Sequence, residues 1–249
     1  MHIRQLSLLA AVLALAAPAF GQGQRMAIPS YFYPGALWNT MQAGAPTVGL
    51  CIINPNSGPG TKIDATYLAQ VRSAQQSGLI VLCYVHTSYG KRSTDEVASE
   101  IKEAFTWYGV NGIMLDEVSN DAAGLDYYVR FHKYIKTLRP KALVVLNPGT
   151  QVHEGYMKAG DIICTFESDY ADYLTKYSAP AWVKNYPASR FWHIVLNVPT
   201  AAQMLDAVAK SKQRHAGWVF VTSDTLPNPY DTLPASAYWS SEINALKKP

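Results

Sequence analysis

Two adjacent carboxylates follow a short apolar stretch in "IMLDEVSND", residues 113–121. The apolar residues before Asp116 and Glu117 are typical of a buried strand, and burying a carboxylate is costly unless the group is paired or used. A further acid, Glu167, ends the apolar run "DIICTFES" at residues 161–168. Two carboxyls in different environments, one ionised and one protonated near neutral pH, are typical of glycosidic bond hydrolysis.

Eight short apolar runs could position these acids, and helical patterns fill most of the gaps between them. The runs lie at 27–34, 48–55, 79–87, 112–117, 142–149, 161–168, 191–198 and 217–224. Strands alternating with helices predict an α/β fold, a single-domain (β/α)8 barrel over residues 22–249. The alternative is an open doubly wound sheet, but no GxGxxG follows the first run to indicate its nucleotide-binding form.

Polar residues concentrate at the carboxyl ends of these runs, which form the active-site face of such a barrel. They are Tyr31, Tyr33, Asn54, Asn56, Tyr84, His86, Asp116, Glu117, Asn147, Glu167, Asn197, Ser223 and Asp224. About half of such residues are expected to cap helices or shape turns instead, as "NPNSGPG" and "NPG" indicate. The rest predict a polar cleft.

Side chains alternate between the two faces of a strand, and the outer face must be apolar where helices cover it. This alternation directs six side chains toward the barrel axis: Tyr84, His86, Asp116, Glu167, His193 and Asn197. Glu117 then falls on the helix side, unless the strand has already ended. Tyr33, Tyr84, His86 and Asn197 are predicted to line the cleft, with Asn54 shaping or polarising it.

Asp116 and Glu167 are expected two strands apart, with a carboxyl separation of about 5–6 Å, since neighbouring strands lie about 4.8 Å apart. That separation suits a retaining glycosidase, and the inverting geometry of about 6.5–9.5 Å stays open. The alternatives are ion pairing or a divalent metal site. The sequence offers no dense oxygen cluster for a metal and predicts neither metal nor cofactor.

Composition excludes some partners and favours others. The formal net charge is only +3, with scattered Lys and Arg, so no nucleic-acid partner is expected. The 16 Tyr and 6 Trp suit sugar-binding surfaces as well as an ordinary core. Trp38 and Trp218 are candidates for stacking on a sugar ring, with a buried core position as the favoured interpretation of Trp218.

The chain begins with a predicted secretory signal peptide at residues 1–21, where one Arg precedes the apolar run "LSLLAAVLALAAPAF". An uncleaved anchor is the alternative. We expect a secreted or periplasmic monomer without a membrane segment after cleavage. Cys51, Cys83 and Cys164 lie inside apolar runs, which favours buried free thiols, with a Cys51–Cys83 bridge as the alternative.

Five segments in chain order resemble the spherulation-specific family 4, or spherulin-4-like, proteins. These are "PSYFYPG", "CIINPNSGPG", "YVHTSYG", "GIMLDE" and "CTFE". That family is similar to glycoside hydrolase family 135, so the resemblance implies a (β/α)8 fold. It also implies endo-hydrolysis of α-1,4-linked, galactosamine-containing polysaccharide, with the family's acids falling on Asp116, Glu117 and Glu167.

The residues and the resemblance together predict a retaining endo-glycosidase. Asp116 is expected to be the nucleophile and Glu167 the general acid/base, while Glu117 tunes Asp116 or contacts a sugar hydroxyl. The alternative is a carbohydrate-binding or wall-associated structural barrel without catalysis. The presence of all three acids argues against that alternative.

Overall fold

A computed structural model describes residues 23–248, in which eight parallel strands close into a barrel in chain order. This closure confirms the predicted (β/α)8 barrel and excludes the open doubly wound sheet. The strands are Arg25–Ser30 (β1), Val48–Ile53 (β2), Ile80–His86 (β3), Gly112–Asp116 (β4), Leu143–Asn147 (β5), Ile162–Asp169 (β6), Phe191–Leu196 (β7) and Trp218–Val221 (β8).

Helices connect the strands around the outside of the barrel. They are Ala36–Ala43 (α1), Ala65–Gln76 (α2), Thr94–Glu103 (α3), Leu125–Leu138 (α4), Tyr170–Thr175 (α5), Ala201–Gln213 (α6) and Ser236–Leu246 (α7). A short 3₁₀ turn, Glu154–Lys158, replaces a helix after β5, and two more follow α5. These are the two connections whose sequences carried the weakest helical patterns.

Local sequence signals set several helix ends. The Asp64 side chain caps α2 by accepting hydrogen bonds from the N–H groups of Thr66 and Tyr67. Gly78, just beyond the end of that helix, has φ +87, a conformation that an L side chain rarely adopts. Ser93 occupies the N-cap position of α3, but its side chain makes no capping hydrogen bond.

The strands are buried on both faces, as near-continuous apolar runs require. All six residues of β2 and of β7 are buried, for example. Cys51, Cys83 and Cys164 are buried free thiols, so the alternative of a Cys51–Cys83 bridge is wrong. Burial raises the pKa of each of the three thiols, which keeps them protonated and unreactive.

The barrel closes between β8 and β1 with help from α7. The two strands pair through Arg25 with Trp218 and through Met26 with Val219. Beyond that point the Val221 N–H donates to the buried Glu242 Oε1 on α7, at 2.9 Å. Burial raises the pKa of Glu242 to about 8, although this hydrogen bond opposes the shift.

The predicted signal peptide lies outside the described residues. Between residues 23 and 248, none of the helices has the length and apolar character needed to cross a membrane.

Candidate active site

Three neighbouring strands end in register at the carboxyl end of the barrel. His86 on β3 pairs with Asp116 on β4, and Asp116 pairs with Asn147 on β5. Residues in register on adjacent strands point to the same face, so these three side chains share the inner face. Tyr84, two residues before His86, lies on the same face, and its ring stacks on His86 with centroids 6.3 Å apart.

The Asp116 carboxyl has an unusually high pKa. Burial and the nearby negative charge of Glu167 together raise it to about 7. Hydrogen bonds from the Glu117 backbone N–H and the Tyr84 hydroxyl oppose the shift without cancelling it. Asp116 therefore exchanges a proton near neutral pH, and its titration is coupled to Glu167.

Glu167 lies in the same cleft and is held by two neutral donors. The Asn147 side-chain amide donates to Glu167 Oε2 at 2.6 Å, and the Tyr230 hydroxyl donates to Oε1. Asn147 Oδ1 also accepts from the Gly149 N–H at 3.0 Å. Asn147 thus shapes the "NPG" turn, as predicted for such residues, and also orients a carboxylate. It lies in register with Asp116 and donates to Glu167, and its strand β5 lies between the two strands that carry the acids.

For Glu117 the stated exception applies, because the strand has already ended before this residue. β4 ends at Asp116, and Glu117 has φ +51, so strand alternation no longer applies. The chain turns sharply there, and Glu117 Oε2 accepts from the Ser88 N–H at 3.1 Å in the loop after β3. Its charge adds to the rise in the Asp116 pKa. Ser88 and Tyr89 also have positive φ values, so backbone strain concentrates beside the acids.

Three tyrosines surround the acid pair. Tyr31 packs edge-on against Tyr84 and Tyr230, with ring centroids 5.8 and 5.4 Å apart. Burial and the charges of Asp116 and Glu167 raise the pKa of Tyr31 well above its usual value. Burial and the charges of Asp116 and Glu117 raise the pKa of Tyr84, and burial and the charge of Glu167 raise the pKa of Tyr230. All three hydroxyls stay protonated, and those of Tyr84 and Tyr230 donate to Asp116 and Glu167.

Sequence reasoning did not place Tyr31 and Tyr230 in the cleft. Tyr31 follows β1 with the same parity as the inward-facing residues of that strand. Tyr31 is among the polar strand-end residues, but Tyr33 is the one that the sequence predicts for the lining of the cleft. Tyr33 is 61% exposed, and its hydroxyl donates to Asp64 at 3.2 Å. Tyr230 lies in the loop between β8 and α7, which has no strand or helix periodicity to indicate its position.

Three more predicted residues lie elsewhere or act differently. Asn54 Oδ1 accepts from the Gly58 N–H at 2.9 Å, so it shapes its loop. Trp38 is 0% exposed, and its indole N–H donates to the Phe32 carbonyl, which makes it a core residue. Trp218 is 3% exposed and begins β8, at the amino-terminal end of the barrel. Neither tryptophan is placed for stacking on a sugar in this cleft.

His193 and Asn197, the two residues predicted to face inward from β7, lie in different surroundings. Asn197 follows β7 at the carboxyl end of the barrel, with an exposed side chain and φ +54. The inward orientation predicted for His193 is wrong: its ring bonds Tyr173 on α5 and points into the helix layer. The prediction assumed that Trp192 and Ile194 face the helices, but Trp192 pairs with the inward-facing Cys164, and a barrel interior is itself filled by apolar side chains.

β6 carries another acid that sequence reasoning did not single out. Asp169 is two residues beyond Glu167 in the same strand, so it lies on the same face, nearer the mouth of the cleft. As for metal binding, residues 23–248 contain no group of three or more His, Cys, Asp or Glu side chains that could hold an ion.

Fold and sequence together define the class of this protein. The sequence profile described as "Spherulation-specific family 4" matches residues 25–246, and the chain belongs to that family. Its similarity to spherulin-4 of Physarum polycephalum is 35% identity over 169 residues, 66% of this chain and 50% of that protein. The chain therefore spans about half the length of this relative.

Solved structures show the same fold. Sph3 of Aspergillus clavatus, crystallised in complex with GalNAc, has a TM-score of 0.79 at 24% identity, covering 91% of this chain and 98% of that one. The glycoside hydrolase domain of PelA from Pseudomonas aeruginosa has a TM-score of 0.53 at 14% identity, covering 86% and 99%. A chitinase of Rhizomucor miehei has 0.56 at 14%, covering 90% and 98%.

Proposed function

We propose that this protein is a glycoside hydrolase that cleaves within α-1,4-linked galactosamine or N-acetylgalactosamine polysaccharide. One observation carries the proposal: Asp116 and Glu167 share one cleft at the carboxyl end of the barrel, and the charge of Glu167 raises the pKa of Asp116. Such a coupled pair can supply one ionised and one protonated carboxyl. The GalNAc bound to the related Sph3 structure supports the choice of sugar.

Asp116 is the proposed nucleophile and Glu167 the proposed general acid/base, in a retaining reaction. In the reactive form the single proton of the pair is on Glu167. The Asp116 carboxylate attacks the anomeric carbon as Glu167 protonates the leaving oxygen, and water then hydrolyses the glycosyl-enzyme with Glu167 as base, which returns the proton to the pair. The Tyr84 hydroxyl and Glu117 N–H stabilise the Asp116 carboxylate. Asn147 and Tyr230 fix the Glu167 side chain for proton transfer.

The direction of the pH profile tests these roles. The reaction needs one ionised and one protonated carboxyl, so the rate should fall with rising pH as the pair loses its last proton near pH 7. A rate that rises through that range instead would show that no proton on this pair is needed, which would contradict Glu167 as the general acid.

The tyrosines provide the sugar-binding walls of this proposal. Tyr31, Tyr84 and Tyr230 offer aromatic faces for the apolar side of a sugar ring and hydroxyls for its oxygens. Tyr84, His86 and Asn197 keep the substrate-binding roles predicted from their strand ends. The polymer is an exopolysaccharide, so we propose that the protein acts outside the cell, as a monomer.

The test is incubation with partly de-N-acetylated galactosaminogalactan, followed by a reducing-end assay and mass analysis of the products. New reducing ends and short oligosaccharides in the products are expected from wild-type protein and not from Asp116→Asn. Binding to this polymer without new reducing ends would contradict the enzyme proposal and support a non-catalytic carbohydrate-binding barrel.

A further inference from the structure

Glu167 faces the cleft because β6 contains a bulge. Cys164 pairs with Trp192 and Phe166 pairs with His193, which leaves Thr165 as an extra residue without a partner in β7. The Cys164 thiol lies on the inner face, within the field of both Glu167 and Asp116. Strict alternation from Cys164 would turn Phe166 inward and Glu167 outward.

The bulge reverses that outcome. Phe166 packs against Tyr173 and Tyr177 in the outer layer, with ring centroids 4.6 and 5.0 Å apart. Thr165 also faces this layer, so two consecutive residues point outward, as a bulge allows. Glu167 is then the next inward side chain and reaches Asn147 and Tyr230.

Buried hydrogen bonds hold the extra residue on the outer side. Thr165 Oγ1 lies 3.1 Å from His193 Nε2 and accepts from the Tyr177 hydroxyl at 3.2 Å. His193 Nε2 lies 3.0 Å from the Tyr177 hydroxyl, and its Nδ1 lies 2.8 Å from the Tyr173 hydroxyl. We refer to Thr165, Tyr173, Tyr177 and His193 as the Thr165 cluster.

The chemistry of His193 suits this position. Burial, with the positive charge of Arg214, lowers the pKa of His193 to about 3, so the ring stays neutral. Arg214 lies over the Tyr173 ring, 4.2 Å from its centroid. A neutral imidazole offers one donor and one acceptor, which lets it bridge hydroxyls on both sides. A protonated ring would lose its acceptor.

We propose that the Thr165 cluster is a positioning device that holds the β6 bulge and thereby turns Glu167 into the cleft. The inference rests on the proposed function in that Glu167 is taken as the general acid/base. The cluster lies behind the strand, on the face away from the substrate, so its residues act on the reaction only through Glu167.

Thr165→Val tests this inference because valine keeps the shape of threonine and removes only its hydroxyl. We expect kcat to fall about 10-fold or more with KM changed less than about 2-fold, since a hydrogen-bonded bulge is lost while the sugar-binding walls remain. Thr165→Ser retains the hydroxyl and should restore most of the rate. Thr175→Val, a matched substitution at an exposed position of α5, should leave kcat unchanged.

Tyr177→Phe removes the hydroxyl that donates to Thr165 Oγ1. It should lower kcat in the same way, and the double variant with Thr165→Val should lose less than the product of the two single effects. Wild-type kcat in both single variants would overturn the inference. Equal losses in Thr165→Val and Thr165→Ser would also overturn it, because they would reflect general damage to the core.

A crystal structure of Thr165→Val separates this inference from the proposed function. We expect Glu167 to lose its contacts with Asn147 and Tyr230, whether or not the wild-type protein cleaves the polymer. An unchanged Glu167 in that structure would refute the inference. An inactive wild-type protein whose Glu167 moves in the variant would refute the proposed function alone.

Discussion

The strands β4 and β6 each deliver one acid to the cleft, and they do so by different means. β4 is regular, and plain alternation from Met114 directs Asp116 inward. β6 needs an extra residue, Thr165, before Glu167 can face the same way. Polar contacts in the helix layer hold the bulge of β6, whereas β4 has no bulge to hold.

The two acids therefore have different surroundings. Asp116 lies at the end of a regular strand, where burial and Glu167 raise its pKa. Glu167 is instead oriented by specific donors, Asn147 and Tyr230. We therefore expect substitutions around β4 to change protonation most and substitutions around β6 to change geometry most.

The largest expected effect comes from removing either acid. Asp116→Asn and Glu167→Gln should each lower kcat on the polymer by about 10²–10⁴-fold, because each removes a group that moves a proton or bonds to the sugar. Initial rates from the reducing-end assay measure this loss. Glu242→Gln, which alters a buried carboxyl on α7 that accepts from the Val221 N–H, should keep near wild-type activity. An equal loss in that control would show that the effect is not specific to Asp116 and Glu167.

The second effect concerns the stability of the protein and arises from Asp116 at the end of β4. An acid whose pKa is raised to about 7 in the folded protein is destabilising once the unfolded chain ionises, so wild-type stability should fall as pH rises from about 4 to 7. Asp116→Asn removes this cost. Its free energy of unfolding should exceed that of wild type by about 1–3 kcal/mol at pH 8, at about 1.4 kcal/mol per pKa unit reduced for partial exposure.

Denaturant unfolding at pH 4 and pH 8 measures this difference, which should become small at pH 4, where the folded carboxyl is protonated and the unfolded one is about half protonated. A stability gain of the same size at both pH values would show that it does not come from the Asp116 charge.

The sequence predicted the fold and the inward position of Asp116 on the regular strand β4. Eight apolar runs indicated the barrel, and alternation placed Asp116 because β4 has no irregularity. The bulge at Thr165 was not predictable, since threonine and phenylalanine both suit an ordinary strand and the extra residue shows only against the register of β7. Tyr230 was missed because its loop has no periodicity, and Trp38 because tryptophan suits cores and sugar sites equally.

A third, smaller effect is expected from two tyrosines: Tyr84, which donates to Asp116, and Tyr230, which donates to Glu167. Tyr84→Phe removes a hydrogen bond that stabilises ionised Asp116, so the pKa that governs the fall in rate should move to higher pH. Tyr230→Phe removes a donor to Glu167 and should lower kcat about 10-fold with little movement of that pKa. Profiles of kcat/KM against pH for both variants test this, and identical profiles would contradict two separate roles.

The smallest effect is expected at Glu117. Its negative charge helps to raise the pKa of Asp116, so Glu117→Gln should lower that pKa by a few tenths of a unit and leave kcat within a few-fold of wild type. The same pH profiles measure the shift. A complete loss of activity would instead give Glu117 a direct part in the reaction.

The most direct test of the account is a ¹³C NMR titration of the Asp116 carboxyl, assigned by its disappearance in Asp116→Asn. The account places Asp116 and Glu167 in one cleft, so the pKa of Asp116 should be about 7 in wild-type protein and lower in Glu167→Gln, where the neighbouring charge is gone. An ordinary pKa of about 4 in wild type, or a raised value that Glu167→Gln leaves unchanged, would contradict the claim that these two acids work as a pair.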